Sequence, residues 1–167
     1  MTALSSVEHT ARGPRVHVPR NYNAAYDLVE RNLRAGRGAK VAYRDDHGEC
    51  TFAALAERVN RAANALLALG LRPEDRVMVA MHDGIDWPVV FLGAIKAGIV
   101  PIAVNTLLTA ADYEFMFNDS RARALVVSSA LAPTLQPVAA RSPFIEHVVV
   151  AGDAGPQGLA ARLAQAS

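Results

Sequence analysis

Residues Phe91 to Leu108 read FLGAIKAGIVPIAVNTLL, and the fold class turns on how this stretch is divided. Phe91, Ala94 and Ile95 continue an apolar face begun by Trp87 and Val90, which is the spacing of an amphipathic helix. Gly98 supplies the stop, because glycine just past a helix adopts the left-handed conformation that closes the last turn. Lys96 puts a cation near the negative end of the macrodipole. From Ile99 to Val104 the chain is almost continuously apolar, with Pro101 near the start, and this predicts a short parallel strand covered on both faces. Asn105 and Thr106 end the strand with loop chemistry. A helix returning into such a strand is half of a βαβ unit and predicts an α/β fold.

The pattern extends on both sides. Arg76 to Met81 reads as the first strand of a parallel core spanning residues 75–150. Thr109 begins a helix through Asn118 with Tyr113, Met116 and Phe117 inward. Ala124 to Val127 is a strand, Ser128, Ser129 and Pro133 begin a helix toward Ala140, and Ile145 to Val150 is the last strand. Upstream, residues 21–72 read as helix, hairpin and helix. Asn21 or Asn23 caps a helix through Leu33, and Gly36 and Gly38 stop it. Val41 to Arg44 and Glu49 to Thr51 flank a turn-rich Asp45-Asp46-His47-Gly48. Thr51 then caps a helix from Phe52 to Leu69 with a Leu55, Val59, Ala62, Leu66, Leu69 stripe. Residues 1–20 show no period and read as a flexible lead-in or surface strap. Residues 151–167 read as a linker followed by a short alanine-rich helix that needs packing to be stable.

Composition excludes several classes. Of 167 residues, 51% are hydrophobic, enough for a real core, and a net charge of +1 offers no global attraction to nucleic acid or anionic membrane. The single cysteine, Cys50, rules out an internal disulfide framework and a multi-cysteine zinc site, and fits a reducing, cytoplasmic compartment. The amino-terminal residues contain no continuous apolar core of signal-peptide length, and no segment approaches the apolar length of a membrane span.

Complete catalytic motifs are not evident. His9, His17, His47, His82 and His147 make no helical metal pair, and His47 with Cys50 lacks further ligands or an orienting base. Neither G-x-x-x-x-G-K-[S/T] nor G-x-G-x-x-G occurs, and Ser128-Ser129 lacks a nucleophile elbow. Arg121 and Arg123 read as a solvated edge. His82-Asp83-Gly84 follows a buried strand at the carboxyl edge of the expected sheet, where open α/β folds place ligands, so His82 is a candidate lining residue.

Three runs, Thr51-Phe52-Ala53-Ala54-Leu55, Leu69-Gly70-Leu71-Arg72-Pro73-Glu74-Asp75-Arg76-Val77, and Ile95-Lys96-Ala97-Gly98-Ile99-Val100-Pro101, occur in an order that resembles the amino-terminal region of AMP-forming acyl-CoA synthetases. This is the adenylate-forming superfamily. The first run resembles the core motif T-Y-x-E-L with Phe for Tyr and Ala54 for Glu; the opening stretch resembles L-K-A-G-x-x-x-V-P. Tyr22-Asn23-Ala24-Ala25, Ala35-Gly36-Arg37-Gly38 and Asn105-Thr106-Leu107-Leu108-Thr109 with Ala111-Asp112-Tyr113 are most similar to benzoate-CoA ligases and related aryl-CoA ligases.

The resemblance implies a parent that uses ATP, Mg²⁺ and coenzyme A to turn an aromatic carboxylate into an acyl-CoA through an acyl-adenylate. It also implies that residues 21–72 belong to one α/β subdomain and residues 75–150 to a second. The superfamily's phosphate loop, acyl pocket and carboxy-terminal lysine follow the region seen here. The resemblance therefore implies an amino-terminal portion that is inactive alone, with no catalytic or metal residue of its own and no cofactor bound strongly. Where some relatives read N-P-R-L near the coenzyme A nucleotide, this chain has Asn105, Thr106, Leu107 and Leu108. Leu107 cannot supply the arginine charge, but the loop can still line a coenzyme A approach. The implied partners are a small aromatic carboxylate and a second copy in a homodimer, without nucleic acid or membrane. The alternative is a stand-alone α/β binding or regulatory module with a synthetase-like core.

Overall fold

The computed structural model describes residues 3–167. It opens on an antiparallel hairpin, β1 (Ser6–Thr10) and β2 (Gly13–His17), where residues 1–20 were expected to lack periodic structure; residues 1 and 2 lie outside the described residues. Both strands are exposed on nearly every residue, so the apolar alternation that betrays a half-buried strand is missing. Thr10 Oγ1 closes the turn by donating to Gly13 O at 2.8 Å.

Helix α1 (Ala24–Arg34) is capped by Asn23 rather than Asn21. The Asn23 side-chain oxygen accepts from Tyr26 N at 3.0 Å while its Nδ2 donates to Ile95 O at 2.7 Å. One side chain thus caps one helix and ties it to the end of another. Inside α1, Asp27 is only 3% exposed. Its carboxylate accepts from Ser5 N at 3.0 Å, from the Ser5 hydroxyl, and from Arg31 Nε at 2.9 Å, fastening the amino-terminal segment to the helix. Burial by itself raises the Asp27 pKa, but these donors outweigh it and hold the carboxyl below its ordinary value.

Strands β3 (Val41–Asp45) and β4 (Gly48–Thr51) form their own two-stranded sheet. Thr51 then caps α2 (Phe52–Ala68) by accepting from Ala54 N at 3.2 Å. The helix buries Leu55, Val59, Ala62, Ala63 and Leu66, close to the stripe its spacing predicts.

The remaining elements alternate: β5 (Arg76–Ala80), α3 (Asp86–Lys96), β6 (Val100–Ala103), α4 (Ala110–Ser120), β7 (Ala124–Ser128), α5 (Ala132–Ala139), β8 (His147–Ala151) and α6 (Leu159–Gln165). The four strands make one parallel sheet in the order β6-β5-β7-β8. Successive side chains leave a strand on opposite faces, and the core divides accordingly. Val77, Val79, Val126 and Val149 join the cluster beneath α1, α2, α3 and α6, whereas Met78, Ala80, Leu125 and Val127 join Tyr113, Phe117 and Leu135 of α4 and α5. The first cluster includes Leu71 and Val77, residues on either side of the boundary expected between 72 and 75.

Two expectations for the opening stretch are corrected. β6 is an edge strand, not one covered on both faces, and Val100 is 40% exposed. An apolar run reports burial potential but not a strand's place in the sheet, and Pro101 is tolerated because an edge strand has a side without ladder bonds. Helix α3 is also buried on more than its expected stripe: Val89, Leu92 and Gly93 are covered as well as Val90 and Ala94, while Trp87 and Phe91 are half-buried and stacked with ring centroids 4.8 Å apart. Gly93 is the reason. A Cβ there would lie 2.6 Å from the Ala62 Cβ, so its absence lets α3 pack directly on α2.

Candidate functional site

In the order β6-β5-β7-β8, β5 leads through α3 toward one side and β7 through α5 toward the other. The connections therefore diverge between the carboxyl ends of β5 and β7, the position at which open α/β sheets bind ligands. His82 follows β5 and donates its backbone N–H to the Ser128 hydroxyl oxygen at the end of β7 at 2.9 Å. This bond staples the two loops across the divergence point.

Two adjoining clefts occupy this edge. One, of about 270 Å³, lies between the hairpin turn at Asp45–His47, the His82-Asp83-Gly84 loop, Ser128, Ser129 and Gly152. The other, of about 380 Å³, is lined by His82, Asp83, Trp87, Asn105 and Thr106. The second brings together three of the four residues singled out from sequence: His82, Asn105 and Thr106. Leu107 is not among its lining residues and is 89% exposed. The loop is nonetheless preset, since Leu107 N donates to Asn105 Oδ1 at 2.9 Å and the Tyr113 hydroxyl donates to Asn105 O at 2.7 Å. Helix α4 then starts on a capping box in which Thr109 and Asp112 satisfy each other's backbone N–H groups.

Sequence reasoning missed Asp45. Its Oδ1 accepts from His47 N at 2.8 Å and Gly48 N at 3.1 Å, an aspartate turn of its own hairpin, while Oδ2 accepts from Ile85 N at 2.9 Å at the start of α3. The Ile85 and His47 N–H groups hold the Asp45 carboxyl below its ordinary value. The Asp-Asp-His-Gly turn was a readable signal for the first pair of bonds; nothing local announces the third. His47 is exposed in the turn, whereas Cys50 is 2% exposed and burial raises its thiol pKa. The structure therefore does not join these two as a site, and among the described residues no three His, Cys, Asp or Glu side chains converge to hold a metal ion.

Arg123 is not the solvated residue its sequence context predicts. At the amino end of the sheet its Nη1 donates to Asp75 Oδ2 at 2.6 Å, and its Nε and Nη2 donate to the two Glu146 oxygens at 2.9 and 2.6 Å. Burial pushes Asp75 up, but the Arg72 N–H and the Arg123 guanidinium prevail and hold it below the ordinary value. Arg121 lies with its guanidinium carbon 5.8 Å from the Phe144 ring centroid.

The chemistry of the first cleft does not suit a triphosphate. Asp45, Asp46, Asp83 and Asp86 all line it. Of these, Asp86 pairs with Arg58, and the N–H groups of Ile85, His47 and Gly48 are already donated to Asp45. A phosphate chain needs convergent free N–H groups or cations, whereas Asp45, Asp46 and Asp83 bring negative charge to this cleft. What the edge offers is two preset, partly polar walls against which another part of a protein or a neutral ligand segment can rest.

An open parallel sheet with helices on both faces and a crevice at its carboxyl edge defines a ligand-binding type of α/β domain. The chain belongs to the AMP-binding enzyme family, whose model matches residues 29–166. It is 54% identical to the benzoate–CoA ligase of Thauera aromatica over 168 aligned residues, covering 100% of this chain and 32% of that protein. It is 40% identical to a 4-hydroxybenzoate–CoA/benzoate–CoA ligase of Rhodopseudomonas palustris over 81% of this chain and 25% of the relative. Among solved structures, a benzoate CoA ligase from Burkholderia xenovorans superposes with a TM-score of 0.80 at 37% identity, covering 87% of this chain and 29% of that one. The chain thus spans a third or less of the length of the curated relatives it matches.

Proposed function

We propose that this chain is the amino-terminal portion of an ATP-dependent aryl-CoA ligase that converts a benzoate-like carboxylate, ATP and coenzyme A into acyl-CoA, AMP and diphosphate. The observation that carries this reading is the 54% identity to a benzoate–CoA ligase across the whole chain. In the complete enzyme, this portion supplies a rigid α/β support whose carboxyl-edge loops, with His82, Asn105 and Thr106, face the region where substrates meet. Asn105 and Thr106 lie on the coenzyme A approach. The enzyme works in the cytoplasm as a homodimer with Mg²⁺ and ATP. The 167 residues do not adenylate a carboxylate on their own, and the acidic lining of the first cleft supports that part of the reading. A pyrophosphate-exchange assay with benzoate, ATP and Mg²⁺ on the purified chain is expected to show no turnover; clear exchange overturns the claim of inactivity.

A second reading rests on the two hydrophobic clusters, since helices of the chain itself pack on either face of the sheet. On that reading the chain is a stand-alone binding or regulatory module. Sequencing the coding DNA beyond Ser167 separates the two: continuation into a Ser/Thr/Gly-rich loop ending in lysine supports the ligase, and a stop codon supports the module.

A further inference from the structure

Between β5 and α3 the chain leaves the sheet as residues 81–85, a loop whose two ends are held by side chains from elsewhere in the fold. Met81 and Ile85 are buried, and His82 and Asp83 between them are exposed. Ser128 Oγ accepts the His82 N–H at 2.9 Å, and Asp45 Oδ2 accepts the Ile85 N–H at 2.9 Å. Both bonds use backbone donors, so the side chains of His82 and Asp83 take no part in them. These same two residues line both carboxyl-edge clefts. The loop is a shared partition, and its position sets the width of each cleft.

Ser128 is placed to fix that position. The last backbone pair between β5 and β7 is Ala80 with Val127. One rung further, the Ser128 carbonyl accepts the Leu131 N–H at 2.9 Å in the turn into α5, and the hydroxyl oxygen supplies the acceptor for His82 instead. A side chain reaching out from the strand lets the chain after β5 peel away from the sheet while the His82 N–H stays satisfied. The anchor is firm, because β7 is paired on both sides, with β5 and with β8. The facing wall of the second cleft is fixed separately: Val104 N donates to Val79 O at 3.3 Å, and the Tyr113 hydroxyl donates to Asn105 O at 2.7 Å. Ser128 does not itself line this second cleft, so its influence there runs through the His82 backbone.

We propose that Ser128 is a positioning residue of the ligase, holding the His82-Asp83 wall at the spacing from Asn105 and Thr106 that coenzyme A needs on its way in. The inference rests on the ligase reading, in which the second cleft lies on the coenzyme A approach. Thioester formation depends on that approach, whereas adenylation uses only the carboxylate and ATP. Loss of the Ser128 hydroxyl therefore weakens coenzyme A binding and leaves the first half-reaction alone.

The test uses the complete enzyme and reads the two half-reactions apart. Ser128→Ala is expected to raise the KM for coenzyme A about two- to tenfold, the range that corresponds to one ordinary hydrogen bond, with benzoate-dependent pyrophosphate exchange unchanged. Ser128→Thr, which keeps a hydroxyl oxygen at the position, should restore the KM. Hydrogen exchange at the His82 amide should quicken in Ser128→Ala and return to its original rate in Ser128→Thr. Should Ser128→Ala fail to fold, Ser128→Cys, which offers only a weak sulfur acceptor, decides by the same readouts. An unaltered enzyme that forms no benzoyl thioester overturns the ligase reading itself. An unchanged coenzyme A KM in active Ser128→Ala enzyme, or a parallel loss of pyrophosphate exchange, overturns this inference and leaves that reading standing.

Discussion

The Asp45 carboxylate accepts the backbone N–H of Ile85 at 2.9 Å, joining residues 40 positions apart. It ties the hairpin turn to the start of α3 and so holds one wall of the carboxyl-edge cleft against the other. Ile85 is otherwise the start of a helix with no side-chain cap of its own. Asp45→Ala is expected to speed hydrogen exchange at the Ile85 amide and lower the urea midpoint, with Asp45→Asn intermediate because an amide oxygen still accepts. The sign with pH is set by the depressed pKa. The contribution is full above the unfolded chain's ordinary value of 3.8 and is lost as pH falls through the lower folded value. An Ile85 amide equally protected in both variants would contradict this role.

Asp27 is expected to be the point from which the amino-terminal hairpin is released. Replacing it by alanine removes the acceptor for Ser5 N, the Ser5 hydroxyl and Arg31 at once. A loss of about 2 kcal/mol in denaturant unfolding is expected, from stranded donors at a buried site. Limited proteolysis should then cut within residues 3–20 before the rest of the chain. Its pH dependence has the same sign as that of Asp45, since burial is overcome and the folded pKa is lowered.

Gly93 tests the contact between α2 and α3. Alanine is the better helix former by about 1 kcal/mol, yet its Cβ would meet Ala62 Cβ at 2.6 Å and Ala63 N at 3.1 Å. Overpacking should prevail, with Gly93→Ala destabilising by about 1–3 kcal/mol. Adding Ala62→Gly should recover part of that loss in a double-mutant cycle, because the two sites share one space. Strict additivity would show that the helices relax apart instead.

Arg123 bridges Asp75 and Glu146 through separate nitrogens of one planar group. Arg123→Lys should therefore behave nearly like Arg123→Met in urea unfolding, since a single ammonium cannot reproduce that fork. The gap between the unaltered chain and Arg123→Met should shrink in high salt, because the side chain is 31% exposed. Full restoration by lysine would reduce the bridge to simple charge pairing.

The helices and strands of this protein were legible because their signals are local. Thr51 and Asn23 announce caps, the 3.6-residue stripe announces α2, and the β-branched runs announce β5, β7 and β8. His82 drew notice because strand ends in an α/β sheet predict where ligands lie, and Asn105 and Thr106 only through the resemblance of their loop; that all three line one cleft came from the tertiary structure. The hairpin at residues 6–17 was not, since a strand pair exposed on both faces leaves no hydrophobic period.

The stretch from Phe91 to Leu108 shows where the division falls. Its sequence alone determined a helix ending at Gly98 and a strand following it, because stereochemistry and burial preference act over a few residues. Only the tertiary structure decided that β6 is an edge, that Gly93 is the point of closest approach to Ala62, and that Asp45 closes the start of α3. Each of those depends on which distant groups the folded chain brings within a few ångströms, and no periodicity in the sequence encodes that.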